Sequence, residues 1–113
     1  MAYPEIFEQY IQHAPSQVQT RLKKVFQIFS SHLKDAKLVM SYQMPTFKGK
    51  KNLVHLAFYE HHLGIYPGPK GITYLLTIFP EATTSKGAWR ILHTASLPVH
   101  ALNNLATWIQ DQS

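Results

Sequence analysis

The chain has 113 residues, of which 45% are apolar and 15% charged, and it has no cysteine. That suits one domain with a real core, is too apolar for a disordered chain, and excludes disulfides, a thiolate nucleophile and a cysteine-ligated metal. A net charge of +5 with a pI near 9.6 favours anionic partners.

The lysines are scattered, however, and the tightest group, Lys48, Lys50 and Lys51 around Gly49, reads as a solvated turn. Scatter of this kind argues against nucleic acid as the partner. No basic segment followed by an apolar run opens the chain, and no apolar stretch reaches membrane-spanning length. The expected setting is therefore cytoplasmic, away from membranes.

Ile6, Phe7, Tyr10 and Ile11 are spaced for one helical face within residues 4–13. Ala14-Pro15-Ser16 interrupts them and starts a second helix, with Pro15 at its first position or Ser16 as cap, and Gln19 closing a capping box. Its stripe, Val18, Leu22, Val25, Phe26, Phe29 and Leu33, advances by steps of three and four and is the strongest helical signal in the chain. Gln19, Lys23, Gln27 and Ser30 belong to the wet face. From Leu38 to Met44 the period becomes two, which predicts a strand stopped by Pro45.

Residues 48–51 make a turn, and Asn52–Tyr59 with His62–Pro67 form a hairpin. With Glu60-His61 as a two-residue loop, Tyr59 faces His62, Phe58 faces Leu63, Leu56 faces Ile65 and His55 faces Tyr66. Phe58/Leu63 and Leu56/Ile65 then fall on one face, and Tyr59/His62 and His55/Tyr66 on the other. Pro67-Gly68-Pro69 launches a short helix with the stripe Ile72, Leu75, Leu76 and Phe79, ended by Pro80. One or two strands lie between Thr83 and His93, bent at Gly87. Pro98 opens the last helix, which buries Val99, Leu102, Leu105, Ala106 and Ile109. The order α-α-β-β-β-α-β-α predicts a single α+β domain over residues 1–113, an antiparallel sheet with helices packed on one face.

Seven histidines raise the question of a metal. The ligand types are His55, His61, His62, His93 and His100, with Glu60 nearby. Neighbouring strand residues point to opposite faces, and no His-Glu-x-x-His pattern or closed tetrahedral set is present. Iron favours oxygen donors, and the acids number six: Glu5, Glu8, Asp35, Glu60, Glu81 and Asp111. The candidate iron contributors are Glu5, Glu8, Asp35 and Glu60, helped by His61 or His62. No Gly-x-Ser-x-Gly elbow and no carboxylate dyad stands out, so no catalytic residue is assigned and a non-enzymatic protein is expected.

Lys86, between Ser85 and Gly87, either binds an anion beside open backbone N–H groups or is a solvated turn residue. Tyr42, Met44, Phe47, His55, Tyr59, His62, Tyr66 and Lys86 form the candidate ligand cleft. Ordinary core is the alternative. Tyrosines and histidines are costly to bury without partners, which favours a site.

Three segments carry a resemblance: Met40-Ser41-Tyr42-Gln43-Met44-Pro45-Thr46-Phe47, His62-Leu63-Gly64-Ile65-Tyr66-Pro67 and Thr84-Ser85-Lys86-Gly87. In order and spacing they resemble the YdhG-like family of small bacterial proteins, which includes frataxin-like iron chaperones. The resemblance implies a frataxin-like, YdhG-like fold and a non-enzymatic role in iron binding and delivery. Its implied partner is an iron-using or iron–sulfur assembly protein. Many relatives are acidic ahead of the first segment, whereas this chain has Lys34-Asp35-Ala36-Lys37-Leu38-Val39. Two other functions stay open: a domain that binds a small molecule or anion through an aromatic groove and Lys86, and a basic protein associated with nucleic acid. The first and third segments are expected to meet at one end of the sheet, with Tyr42, Phe47, Tyr66 and Lys86 bordering a shared cleft.

Overall fold

Alternating apolar residues on the strands meet the apolar stripes of the helices, and that meeting organises the chain. The computed structural model describes residues 3–113. Met1 and Ala2, the start of the segment read above for a leader, lie outside the described residues. The elements are α1 (Glu5–Ile11), α2 (Ser16–His32), β1 (Lys37–Ser41), β2 (Met44–Lys48), β3 (Asn52–Phe58), β4 (His62–Tyr66), α3 (Gly68–Ile78), β5 (Thr83–Thr84), β6 (Trp89–Leu92) and α4 (Val99–Gln112). The six strands form one antiparallel sheet in the order β1-β2-β3-β4-β6-β5.

All four helices cover the same face. Phe26 and Phe29 of α2 pack their rings on Phe47 of β2, Tyr10 of α1 meets Phe58 of β3, and Phe79 after α3 meets Trp89 of β6. Helix α4 lies between α2 and α3 and buries Leu102, Leu105, Ala106 and Ile109. Phe7, Leu22, Phe29, Leu56, Leu63, Ile65 and Leu102 are fully buried in one continuous core. Burying a side chain of this kind contributes about 1.5–3 kcal/mol, which makes this layer the source of the fold's stability.

The β3–β4 register is the one expected: His55 opposes Tyr66, Leu56 opposes Ile65 and Phe58 opposes Leu63. The Tyr59 N–H donates to the His62 carbonyl at 2.8 Å and closes the loop. The helices near 16–33 and 98–110 also stand where their stripes put them.

Four details differ. The segment Leu38–Met44 is not one strand. It reverses at Tyr42-Gln43, and Pro45 lies inside β2 opposite Met40. Residues flanking a two-residue turn exchange backbone hydrogen bonds, so Met40/Pro45 is a non-hydrogen-bonded pair and the proline nitrogen turns away from β1. On its other side the β2–β3 pairing begins only at Thr46, so no ladder donor is missed.

The second difference is the start of α2. Pro15 is the N-cap and makes no side-chain cap. A capping box needs an N–H on the cap residue, which proline lacks, so the Gln19 amide donates instead to the Ala14 carbonyl at 2.9 Å. Third, Leu76 and Val99 point outward, and α3 buries Ile72 and Leu75. Fourth, Phe58 is half-buried near the margin of the core rather than within it.

Candidate functional site

With the helices on one face, the pleat sends every second strand residue to the other. That open face carries Thr46 on β2, His55 and Ala57 on β3, His62, Gly64 and Tyr66 on β4, and Arg90 and Leu92 on β6. No helix among the described residues covers it. Thr46 and Ala57 are nonetheless buried, and aromatic rings close over the neighbouring backbone at Gly64.

Two of those rings belong to Tyr59 and Tyr66, whose hydroxyls meet at 2.8 Å. They meet above Gly64. A Cβ there would lie 2.8 Å from Tyr66 Cε2 and 3.1 Å from Tyr59 Cε2, so the missing side chain is what lets both rings settle on the backbone. Burial, then the hydrogen bond that Tyr66 donates to Tyr59, pushes the Tyr66 phenol up to about 12. The Tyr66 phenol stays protonated near neutrality. One proton is used between them, so the pair presents one free donor and oxygen lone pairs to the open side.

His55 stands beside Tyr66. Its Nδ1 lies 2.6 Å from Thr46 Oγ1, and that hydroxyl also donates to the Met44 carbonyl at 2.9 Å. A hydroxyl has a single proton and a carbonyl has none to give. Nδ1–H is therefore the donor to Thr46, and Nε2 is left as an acceptor. Burial lowers the His55 pKa, which reinforces the neutral ring. Tyr42, at the β1–β2 turn, sets its ring edge-on to His55 at 5.7 Å and is 79% exposed.

On the other flank Arg90 opposes Gly64 across the β4–β6 ladder. Its charge acts on Tyr66, favouring the phenolate, against the stronger effect of burial. The His62 ring lies tilted on Tyr59 at 5.0 Å, and its pKa is lowered by burial and then by Arg90, His93 and His61. His93 Nε2–H donates to the Tyr59 carbonyl at 2.7 Å, while its Nδ1 is buried with no partner among the described residues. At the other end of the face a shallow hollow of about 250 Å³ is bordered by His55, Tyr66, Pro67, Gly68 and Gly87. Gly68, at φ 84°, supplies the left-handed backbone that turns β4 into α3.

The expected cleft is thus gathered only in part. Tyr42, His55, Tyr59, His62 and Tyr66 share the open face, and half-buried Met44 sits on the same side at its β1–β2 margin. Phe47 does not join them. The pleat turns it to the helical face, where it is 4% exposed between Phe26 and Phe29. Lys86 is exposed and outside the hollow's border; its segment reaches the hollow through Gly87, which lies against Gly68 and Pro69. Tyr42 is outside that border too, but its ring meets His55 and Ser41 accepts a hydrogen bond from Asn52 at 3.1 Å, and both His55 and Asn52 border the hollow. The first and third segments therefore meet around the same hollow, with Tyr42, Phe47 and Lys86 outside its border.

The candidate metal ligands stay apart. Glu5 and Glu8 lie in the first turn of α1, Asp35 in the α2–β1 loop, and Glu60 pairs with His61 at 2.8 Å on the exposed β3–β4 loop. Among the described residues no three His, Asp or Glu side chains come together as a metal site.

Sequence reasoning missed Thr46, Gly64, Arg90 and the Tyr42-Gln43 reversal. A signal existed for two of them. A glycine inside a strand, flanked in register by two tyrosines, marks a close approach. Arg90 alternates with Trp89 and Ile91, which places it opposite the core. Nothing local distinguished Thr46, whose role depends on its cross-strand partner.

No family model matches the sequence, and no curated protein does either. Among solved structures, the fold is similar to that of a DUF1801-family protein, YdhG, from Bacillus subtilis. The TM-score is 0.81 at 13% identity, over 92% of this chain and 87% of that one. The fold is therefore YdhG-like. Among the described residues no helix is long and apolar enough to cross a membrane.

Proposed function

We propose that this protein is a non-enzymatic binding domain that takes a small, planar, anionic ligand on the open face of its sheet. One observation carries the proposal: the Tyr59–Tyr66 hydroxyl pair lies flat over Gly64 with Arg90 beside it, on a face that no helix covers. Ordinary stability does not call for such an arrangement, since tyrosine hydroxyls and imidazoles earn little from half-burial. A flat ligand would stack on the rings, place its negative group toward Arg90, and donate a hydrogen bond to His55 Nε2.

Iron binding and delivery to an iron-using or iron–sulfur assembly protein is the role the motif resemblance alone implies. The dispersed acids give it less support, because a hard cation needs several oxygen donors within one coordination sphere. The frataxin-like designation stands or falls with that role.

The test is an NMR titration of the amide resonances with adenosine monophosphate, a probe that is both planar and anionic. Resonances of Gly64, Tyr66 and Arg90 are expected to move together and saturably, and the Arg90→Ala protein is expected to bind at least several-fold more weakly. Shifts confined to the exposed lysines would sink the proposal. A parallel titration with ferrous iron that saturates at Glu60 and His61 would restore the iron role.

A further inference from the structure

We propose that the natural occupant of the open face is a single-stranded nucleic acid, whose unpaired bases stack on Tyr42 and Tyr59 while its phosphates are held by cations on the sheet. This rests on the reading of that face as a planar-anion site, and it names the ligand class.

Charge placement is the first argument. The strands contain Lys37, Lys48 and Arg90 and not one acid. All six acids lie elsewhere: Glu5 and Glu8 in α1, Asp111 in α4, and Asp35, Glu60 and Glu81 in loops. The register puts Lys37 opposite Lys48, on the same side as the Val39/Thr46 pair and hence on the open face. Three of the eleven cations thus stand on the strands with no acid among them, which leaves the charge of the open face positive. An extended polyanion is the partner such a face complements.

Ring placement is the second. Tyr42 is 79% exposed and Tyr59 42% exposed, at two separate points of the same face. The Tyr42 ring stands against His55 on β3, and Tyr59 lies four residues further along that extended chain, roughly 13 Å, which accommodates two or three nucleotides. The exposed Tyr42 ring offers its π-face to any base, and at the other point the His62 ring, lying at 5.0 Å on Tyr59, forms the second aromatic platform with it. A duplex keeps its bases stacked internally and has nothing to insert between these rings, so single strands are selected. His55 Nε2 as acceptor and the free Tyr59–Tyr66 proton as donor stand between the rings, where base edges would pass.

The third argument is conformational. Tyr42 and Gln43 have φ of 53° and 63°. A tyrosine in the left-handed region is strained, and such strain tends to be retained at functional sites. Here it presents an aromatic ring to solvent where asparagine would turn the chain more comfortably.

Fluorescence anisotropy with labelled single strands of about ten nucleotides, RNA and DNA, decides the matter. Each is measured beside the duplex of the same sequence, beside adenosine monophosphate, and beside anionic phospholipid vesicles. The expected result is tighter binding of single strands than of duplex, weakening steeply with salt. Tyr42→Asn suits the turn and should fold, and it is expected to reduce single-strand affinity roughly 5- to 150-fold, the usual range for loss of one stacked base. Unchanged circular dichroism would show that the variant is intact. Equal binding of duplex and single strand, indifference to Tyr42→Asn, or preference for vesicles would overturn the inference. Binding of adenosine monophosphate with no gain from a strand would overturn it too, while leaving the small-ligand proposal standing. Binding of neither would remove both.

Discussion

At the scale of single residues, His55 has the most direct consequence. Its imidazole is half-buried against Thr46, and burial lowers its pKa below the ordinary 6.5. The unfolded chain therefore takes up the proton first as pH falls. The contribution of His55 to stability is complete above the unfolded value and is lost as pH drops from about 6.5 through the lower folded value. His62 is shifted in the same direction, by burial and by its cationic neighbours, and adds to the same window. The melting temperature is expected to hold between about pH 7 and 8 and to decline below about 6.5. In His55→Asn the side-chain amide can take over the bond to Thr46 without titrating, so part of that decline should disappear. An equally steep decline in the variant would show that His55 has no part in it.

At the scale of elements, the β1–β2 hairpin is built against local preference. A two-residue turn with positive φ at both positions favours Asn-Gly, yet this one is Tyr42-Gln43. The left-handed backbone costs roughly 1–2 kcal/mol for an ordinary side chain. The double substitution Tyr42→Asn, Gln43→Gly is therefore expected to raise unfolding stability by about 1–2 kcal/mol in urea titrations. The same change should weaken whatever stacks on Tyr42. A variant no more stable than the parent would mean that tertiary contacts already favour the left-handed pair. The β3–β4 hairpin shows the contrast: its loop needs no positive φ, and its register follows from which residues each face can bury.

For the whole molecule, the two faces of the sheet divide the labour. The covered face holds the core, so Leu102→Ala, at a fully buried position of α4, is expected to cost about 2–5 kcal/mol. The open face holds the tyrosine and histidine array, where Tyr59→Leu removes one hydroxyl contact and keeps most apolar contact. Its expected cost is about 1 kcal/mol or less, measured by chemical denaturation. A cost for Tyr59→Leu equal to that for Leu102→Ala would mean that the array is a second structural layer and not a site.

Much of this architecture was legible in the residues themselves. The stripe from Val18 to Leu33 settled α2, and the alternation through Asn52–Tyr66 settled both the β3–β4 register and the placing of His55 with Tyr66, because burial on one face penalises a one-residue slip on every strand residue at once. Local pattern could not say which way the chain would turn at Tyr42-Gln43, since that reversal runs against turn preference and depends on β2 finding β3. For the same reason Pro45 looked like a strand end and is a strand residue, and Phe47 looked like a neighbour of Tyr42 and lies across the sheet from it. Thr46 could not be recognised as the partner of His55, nor Gly64 as the floor beneath two tyrosines, because hydrogen bonds and close approaches between strands belong to the assembled sheet. Periodicity tells a side chain which neighbours share its face; only the packing of the helices decides which face is left open to a ligand.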